Sequence, residues 1–361
     1  MEARSALRDG NRERHWGTSQ VGGSSYREMR SEGSKMTELR NSKSRAWLGI
    51  GSALMADSSY LMLLLLIAGC AWTNASVKPI HALPANAIHP VWSPDGKSLA
   101  FESDMAGNWD LWTMNLDGTG LKQVTHDPSN ERFASWRPDG ARLAYASDRS
   151  GNWDVWSMGL DGSDNRQLTQ FSGLDIAPIW SPDAKRIAFV SSRSMDVLVW
   201  VMDADGGNIQ GMPNIRCGDW VSAWSPDGKS VAAVSSMRGK SDIWLIDTHE
   251  RSIKQLTQKT DTRRDFLPAW SPDGKHIAFV SERNGRRDIW LMDHDGKNER
   301  RIAKGALGAH ELKYNVDKQV FDGLSFLYLS WSPDGRDIAF TRVNEEGRGE
   351  IAVLQVAQLM Q

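Results

Sequence analysis

Little in this chain announces chemistry. Of its 361 residues only two are cysteine, Cys70 and Cys217, so no disulfide framework organises the fold. No Gly-x-Ser-x-Gly elbow, Gly-rich phosphate loop or His-Glu-x-x-His helix occurs, which removes the commonest hydrolase, nucleotide and zinc-peptidase signatures. Surplus positive charge is missing too. The formal net charge is −2, and the part after residue 69 is mildly acidic, so the basic stripe of a nucleic-acid surface is absent. No stretch after residue 77 keeps a helical period, which points to an all-β chain.

What is present is repetition. Trp-Ser-Pro-Asp-Gly or a near variant begins at Trp92, Trp136, Trp180, Trp224, Trp270 and Trp331, at spacings of 44, 44, 44, 46 and 61 residues. A period in this range marks a repeat architecture. Each copy reads as four short strands. Phe133-Ala-Ser-Trp136 precedes the turn Arg137-Pro-Asp-Gly140, and Arg142-Leu-Ala-Tyr-Ala146 follows it. Asp154-Val-Trp-Ser-Met158 is a third strand and Arg166-Gln-Leu-Thr169 a fourth. Four strands per period are one propeller blade, and six copies predict a six-bladed β-propeller. The last copy stops after its third strand, so residues 77–82 are expected to supply its fourth and close the ring, leaving no open edge.

The repeated Trp-Ser-Pro-Asp-Gly, with a later Asp-Ile-Trp as in Asp242–Trp244 and Asp288–Trp290, resembles the TolB-type six-bladed propeller over residues 77–361. That resemblance implies a non-catalytic scaffold binding a protein or peptide partner in the cell envelope. The α/β domain that precedes the propeller in TolB has no counterpart in the short stretch between Cys70 and the first repeat.

The N-terminal part divides into a polar segment 1–35, read as disordered or as lying upstream of the true start, a signal peptide 36–69 and a linker 70–76. Arg40, Lys43 and Arg45 precede the apolar run 60–69, and Ile67-Ala-Gly-Cys70 resembles a bacterial lipobox. Cys70 is thus the expected lipidation site. It would place the chain in the periplasm, lipid-anchored to the outer membrane or cell envelope and touching membrane through the lipid alone. An uncleaved anchor helix over 46–69 is the other reading, with Asp57 against it. If Cys70 carries lipid, Cys217 has no partner.

Most of the 17 tryptophans occupy repeat-equivalent places and read as core. Trp109, Trp153 and Trp220 do not, and are candidates for ligand contact or for rim packing. Five residues before the motif Trp stand Glu131, Asp175, Asp219 and Asp265, with Ala87 and Phe326 in the other copies. Their shared offset places them where the chain enters the inner strand, at the channel mouth. There they either gather around a basic peptide or a calcium ion, or each fixes its own loop. No other cofactor is expected. Only His89 of eight histidines falls in a channel-lining strand. Arg149 and Arg283 are expected to pair with Asp154 and Asp288 across a hairpin. Arg193 holds the same place, while Met105 and Met237 replace it and leave Asp110 and Asp242 without that partner. The long connection 303–326 lies on the same face. The alternatives to a binding scaffold are a polysaccharide-acting propeller lyase or hydrolase, which needs several His or carboxylates on the axis, and a structural assembly module.

Overall fold

The computed structural model describes residues 76–80, 83–194, 197–212, 221–235, 241–258, 263–283, 285–307 and 328–359. They form six antiparallel sheets of four strands each. In blade one the strands run Ala87–Trp92, Ser98–Ser103, Asp110–Asn115 and Lys122–Gln123, from the axis outward. The inner strands of blades two to six are Glu131–Trp136, Asp175–Trp180, Val221–Trp224, Arg264–Trp270 and Leu329–Trp331. The second strand is buried on both faces because blades stack face to face. Phe101, Tyr145, Phe189, Phe279 and Phe340 hold one repeat position there, and all are 0% exposed.

Each part of the repeated phrase has a separate task. The turn glycine adopts a left-handed backbone, with φ of 70° at Gly96 and Gly228, where a side chain would be strained. The serine hydroxyl donates to the turn aspartate at 2.6 Å in Ser93–Asp95, Ser225–Asp227 and Ser332–Asp334. Pro and Gly also meet between blades. A Cβ at Gly140 would stand 3.9 Å from Pro94 of blade one, and one at Gly96 would stand 3.7 Å from Pro333 of blade six. The tryptophan seams are of two kinds. Trp136, Trp224 and Trp331 each donate their indole N–H to a carbonyl of the preceding blade, Val91, Ile179 and Ala269. The indole N–H groups of Trp92, Trp180 and Trp270 are buried without a hydrogen-bond partner. There the backbone N–H of Trp92 and Trp180 donates instead to the hydroxyl of Ser330 and Ser135.

Blade six closes as expected. Val77–Pro79 pairs antiparallel with Gly349–Gln355, in the register Val77 to Leu354 and Pro79 to Ala352. First and last strands thus share one sheet. No helix among the described residues is long and apolar enough to cross a membrane.

Candidate functional site

The inner strands do not run straight. Their pairing slips between Ile88 and Val91, Arg132 and Ser135, Ile176 and Ile179, and Phe266 and Ala269. At each slip a non-glycine residue turns left-handed: His89 (φ 52°), Phe133 (59°), Ala177 (50°) and Leu267 (52°). Such φ values are costly for these residue types. Their recurrence three residues before the motif Trp makes the bulge a property of the blade, and bulges re-aim side chains. Tyr328 holds the same offset in blade six. The side chains meet across blades, for the His89 ring is 5.2 Å from that of Phe133 and 5.5 Å from that of Tyr328.

Around His89 lies a buried charged set that reading the repeats one at a time does not reveal. Glu102 is 0% exposed, Arg132 2% and His89 4%. Glu102 Oε2 receives the Arg132 Nε–H at 2.8 Å, and Oε1 receives the Phe133 backbone N–H at 2.6 Å and lies 2.6 Å from His89 Nδ1. The His89 backbone N–H donates to Thr341 of blade six at 3.0 Å. Burial alone would raise the Glu102 carboxyl. Arg132 and His89 more than reverse this and hold it at about 2. Burial and the Glu102 charge push the Tyr328 phenol up to about 12. The signal was available by aligning the copies. Glu102 stands where other blades carry Ala146, Val190, Val234, Val280 and Thr341, and Arg132 where they carry Ile88, Ile176 and Phe266. Two charges of opposite sign replace two uncharged residues across one seam.

At the mouth, Glu131, Asp175 and Asp265 are each 0% exposed. Each begins its inner strand by donating its backbone N–H to the preceding blade, to the carbonyls of Trp109, Trp153 and Ser241. Every carboxylate has a cation within its own blade. Glu131 accepts from Ser147 at 2.8 Å and Arg149 at 3.0 Å. Asp175 accepts from Arg193 at 2.6 Å, and Asp265 from Ser281 at 2.6 Å and Arg263 at 2.7 Å. Glu131 Oε2 and Asp175 Oδ1 are buried without a hydrogen-bond partner. Burial pushes the Glu131 carboxyl up to about 7, against the pull of Ser147 and Arg149. Among the described residues no group of three or more His, Cys, Asp or Glu side chains is placed to hold a metal ion. Asp219, Trp220, Cys70, Cys217, Met237 and residues 308–327 of the long connection lie outside the described residues.

The expected hairpin pairs do not form. Arg149 goes to Glu131, and Arg283 to Glu299 at 2.8 Å. The third-strand aspartates turn outward to the fourth strand instead. Asp154 accepts from Gln167 and Thr169, and Asp110 from Gln123 and Thr125. Those uncharged donors explain the repeated Gln-x-Thr. Asp288 meets Arg301 at 3.3 Å. Asp110 therefore loses nothing where Met105 replaces arginine. Met105 and Trp112 pack against one apolar cluster, at the repeat positions where Arg149 covers Trp156 at 4.8 Å. Arginine and mouth carboxylate disappear together in blade one, since Ala87 has no charge to neutralise.

Trp109 and Trp153 are half-buried and pack, with Leu174 and Val197, against one apolar cluster. The Arg132 guanidinium lies 4.9 Å from the Trp109 ring. In blade five the equivalent of Trp109 is Arg287, paired with Glu282 at 3.3 Å, and Arg264 nearby is exposed. This face is therefore aromatic over blades one and two, aliphatic at Leu174 and Val197, and carries arginines over blade five.

Comparison with known proteins agrees with this geometry. The TolB beta propeller domain family matches residues 72–175 and 158–358. The Tol-Pal system protein TolB of Anaeromyxobacter dehalogenans (strain 2CP-C) is 44% identical over 43 residues, which are 12% of this chain and 10% of that protein. The chain is thus matched to only a tenth of the length of that curated relative. A candidate TolB structure from Agrobacterium tumefaciens superposes with a TM-score of 0.57 at 22% identity, over 77% of this chain and 96% of that one. An oligogalacturonate lyase from Vibrio parahaemolyticus does so with a TM-score of 0.52 at 14% identity, over 81% and 96%. At these identities the two structures share the fold alone.

Proposed function

We propose, for a chain that belongs to the TolB beta propeller domain family, a non-catalytic binding scaffold that takes a protein or peptide partner of the cell envelope. The partner lies across the mouth that carries Trp109 and Trp153 beside Glu131, Asp175 and Asp265, to which the repeat offset in the sequence also assigns Asp219 and Trp220. One observation carries the reading: half-buried Trp109, Trp153, Leu174 and Val197 form an apolar shelf continuous with the core. Large half-exposed aromatics on a rigid scaffold supply contact area at small entropic cost. The arginines of blade five supply the polar side of the same face, while Glu131, Asp175 and Asp265 are each neutralised by an arginine of their own blade. Lipidation at Cys70 would keep the chain at the outer membrane or cell envelope, on the periplasmic side.

An axial enzyme is the weaker reading. It needs acids or bases open to substrate, whereas His89, Glu102 and Arg132 are buried and committed to one another. The test is cross-linking in intact cells followed by recovery of the full chain. A Trp109→Ala, Trp153→Ala double variant is expected to lose the envelope protein held by the wild type while remaining folded, at a lower melting temperature because both rings pack against the core. Equal recovery by the folded double variant would overturn this face as the binding surface.

A further inference from the structure

The seam between blades one and two contains a pocket of about 280 Å³ whose lining includes Val124, Asp127, Arg149, Met158, Gly162 and Asn165. It adjoins the mouth, since Arg149 in its lining also bonds Glu131, but the argument for it does not depend on the reading above. Its floor is apolar, for Val124 and Met158 are buried. It is smaller than the roughly 300–1,000 Å³ of small-molecule sites, which suits a single side chain rather than a whole ligand.

The repeat itself shows what fits. In blade three, Arg193 is enclosed by three aromatic rings: Phe189 at 5.7 Å, Trp200 at 5.9 Å and Phe171 at 5.1 Å. Blade two supplies the first two walls at the same repeat positions, with Tyr145 at 5.8 Å and Trp156 at 4.8 Å from Arg149. The third wall is missing. Phe171 lies two residues after Thr169, and two residues after Thr125 stands Asp127. Its carboxylate reaches Arg149 at 3.7 Å but contributes no ring. A guanidinium attracts an aromatic face, and here the place for that face is open.

We infer that this pocket binds an aromatic side chain, phenylalanine or tyrosine, presented by a partner peptide and seated against Arg149 as Phe171 is seated against Arg193. The ring would cover Met158 and Val124, complete the cage and leave Asp127 beside it for a neighbouring positive group.

N-acetyl-phenylalaninamide titrated into the full chain tests this, with the Met158 methyl resonance as the readout and N-acetyl-leucinamide as the comparison. The Met158 methyl is expected to shift with the phenylalanine amide and much less with the leucine amide. Asp127→Phe places the chain's own ring in the pocket, so its affinity for the amide should fall about tenfold or more. Phe171→Asp should open the corresponding place in the next seam and add a second binding event, seen at Met202. An unmoved Met158 in the wild type, an equal response to the leucine amide, or wild-type affinity in a folded Asp127→Phe protein each overturns the inference. Should Asp127→Phe not fold, the wild-type comparison of the two amides decides alone.

Discussion

Replacing Glu102 and Arg132 by the residues that other blades carry gives the most discriminating experiment. In Arg132→Ile the carboxylate of Glu102 stays in a site with 0% exposure and loses its guanidinium. Breaking a buried ion pair from one side costs about 3–5 kcal/mol. The carboxyl of Glu102 is held at about 2, against 4.5 for an unperturbed glutamate, so the surrounding set favours its charged form despite the burial. Glu102→Val should cost a similar amount, because Arg132 and His89 then lose their acceptor. The double variant removes both charges together and restores an apolar pairing like that of Ala146 and Ile176 across the next seam. Its remaining cost is the Glu102 contact that the Phe133 N–H and His89 lose, about 1–3 kcal/mol. Chemical denaturation at pH 7 should therefore find the double variant more stable than either single variant. Acid adds a second readout. The folded pKa lies below the unfolded one, so the Glu102 contribution is complete above about pH 4.5 and is lost as pH falls toward about 2. Variants without Glu102 should lose less stability over that window. Additive single costs, or an Arg132→Ile protein within about 1 kcal/mol of the wild type, would refute the reasoning.

Four further outcomes are expected. Deleting residues 71–79 removes the strand that closes blade six and should lower the melting temperature markedly; an unchanged melt would rule out Val77–Pro79 as the closing strand. Glu131 titrates with the opposite sign to Glu102, since its folded pKa of about 7 lies above its unfolded value of 4.5. Wild-type stability should thus fall relative to Glu131→Gln as pH rises through that interval and match it below, as pH-resolved denaturation can check. Ala184 occupies the turn-glycine place of blade three with φ 58°, so Ala184→Gly should add about 0.5–1 kcal/mol, and a thermal melt showing destabilisation would contradict the strain. Cys70→Ser should abolish palmitate labelling and release the chain from membranes; retention at full precursor length would favour an anchor helix.

The architecture was legible because its cause is periodic. Six tryptophans in register announce six blades, and the missing fourth strand after Gln355 predicts where Val77–Pro79 must go. The bonding inside the blade was less so. Arg149 and Asp154 are near neighbours along the hairpin, yet the arginine follows the deeper carboxylate of Glu131 and the flat face of Trp156, which only the packed blade brings within reach. Gln167 and Thr169 read as a strand marker, and their role as donors to Asp154 needs the sheet. The left-handed backbone at His89, Phe133, Ala177 and Leu267 has no residue-type signature at all, since none of them is glycine. Glu102 and Arg132 were visible in principle, as departures from columns that are otherwise uncharged.

The two kinds of tryptophan seam carry an arithmetic consequence. Indole-to-carbonyl bonds join blades one to two, three to four and five to six, so the ring is built as three couples with an approximate threefold symmetry hidden in its sixfold outline. Each couple has an internal bond that its junctions to neighbouring couples lack, so opening should propagate couple by couple, with amide exchange falling into three cooperative groups. Removing or duplicating an even number of repeats would preserve the alternation. An odd change would bring two like-facing blades together, setting a tryptophan that expects an acceptor against a neighbour shaped to offer a serine.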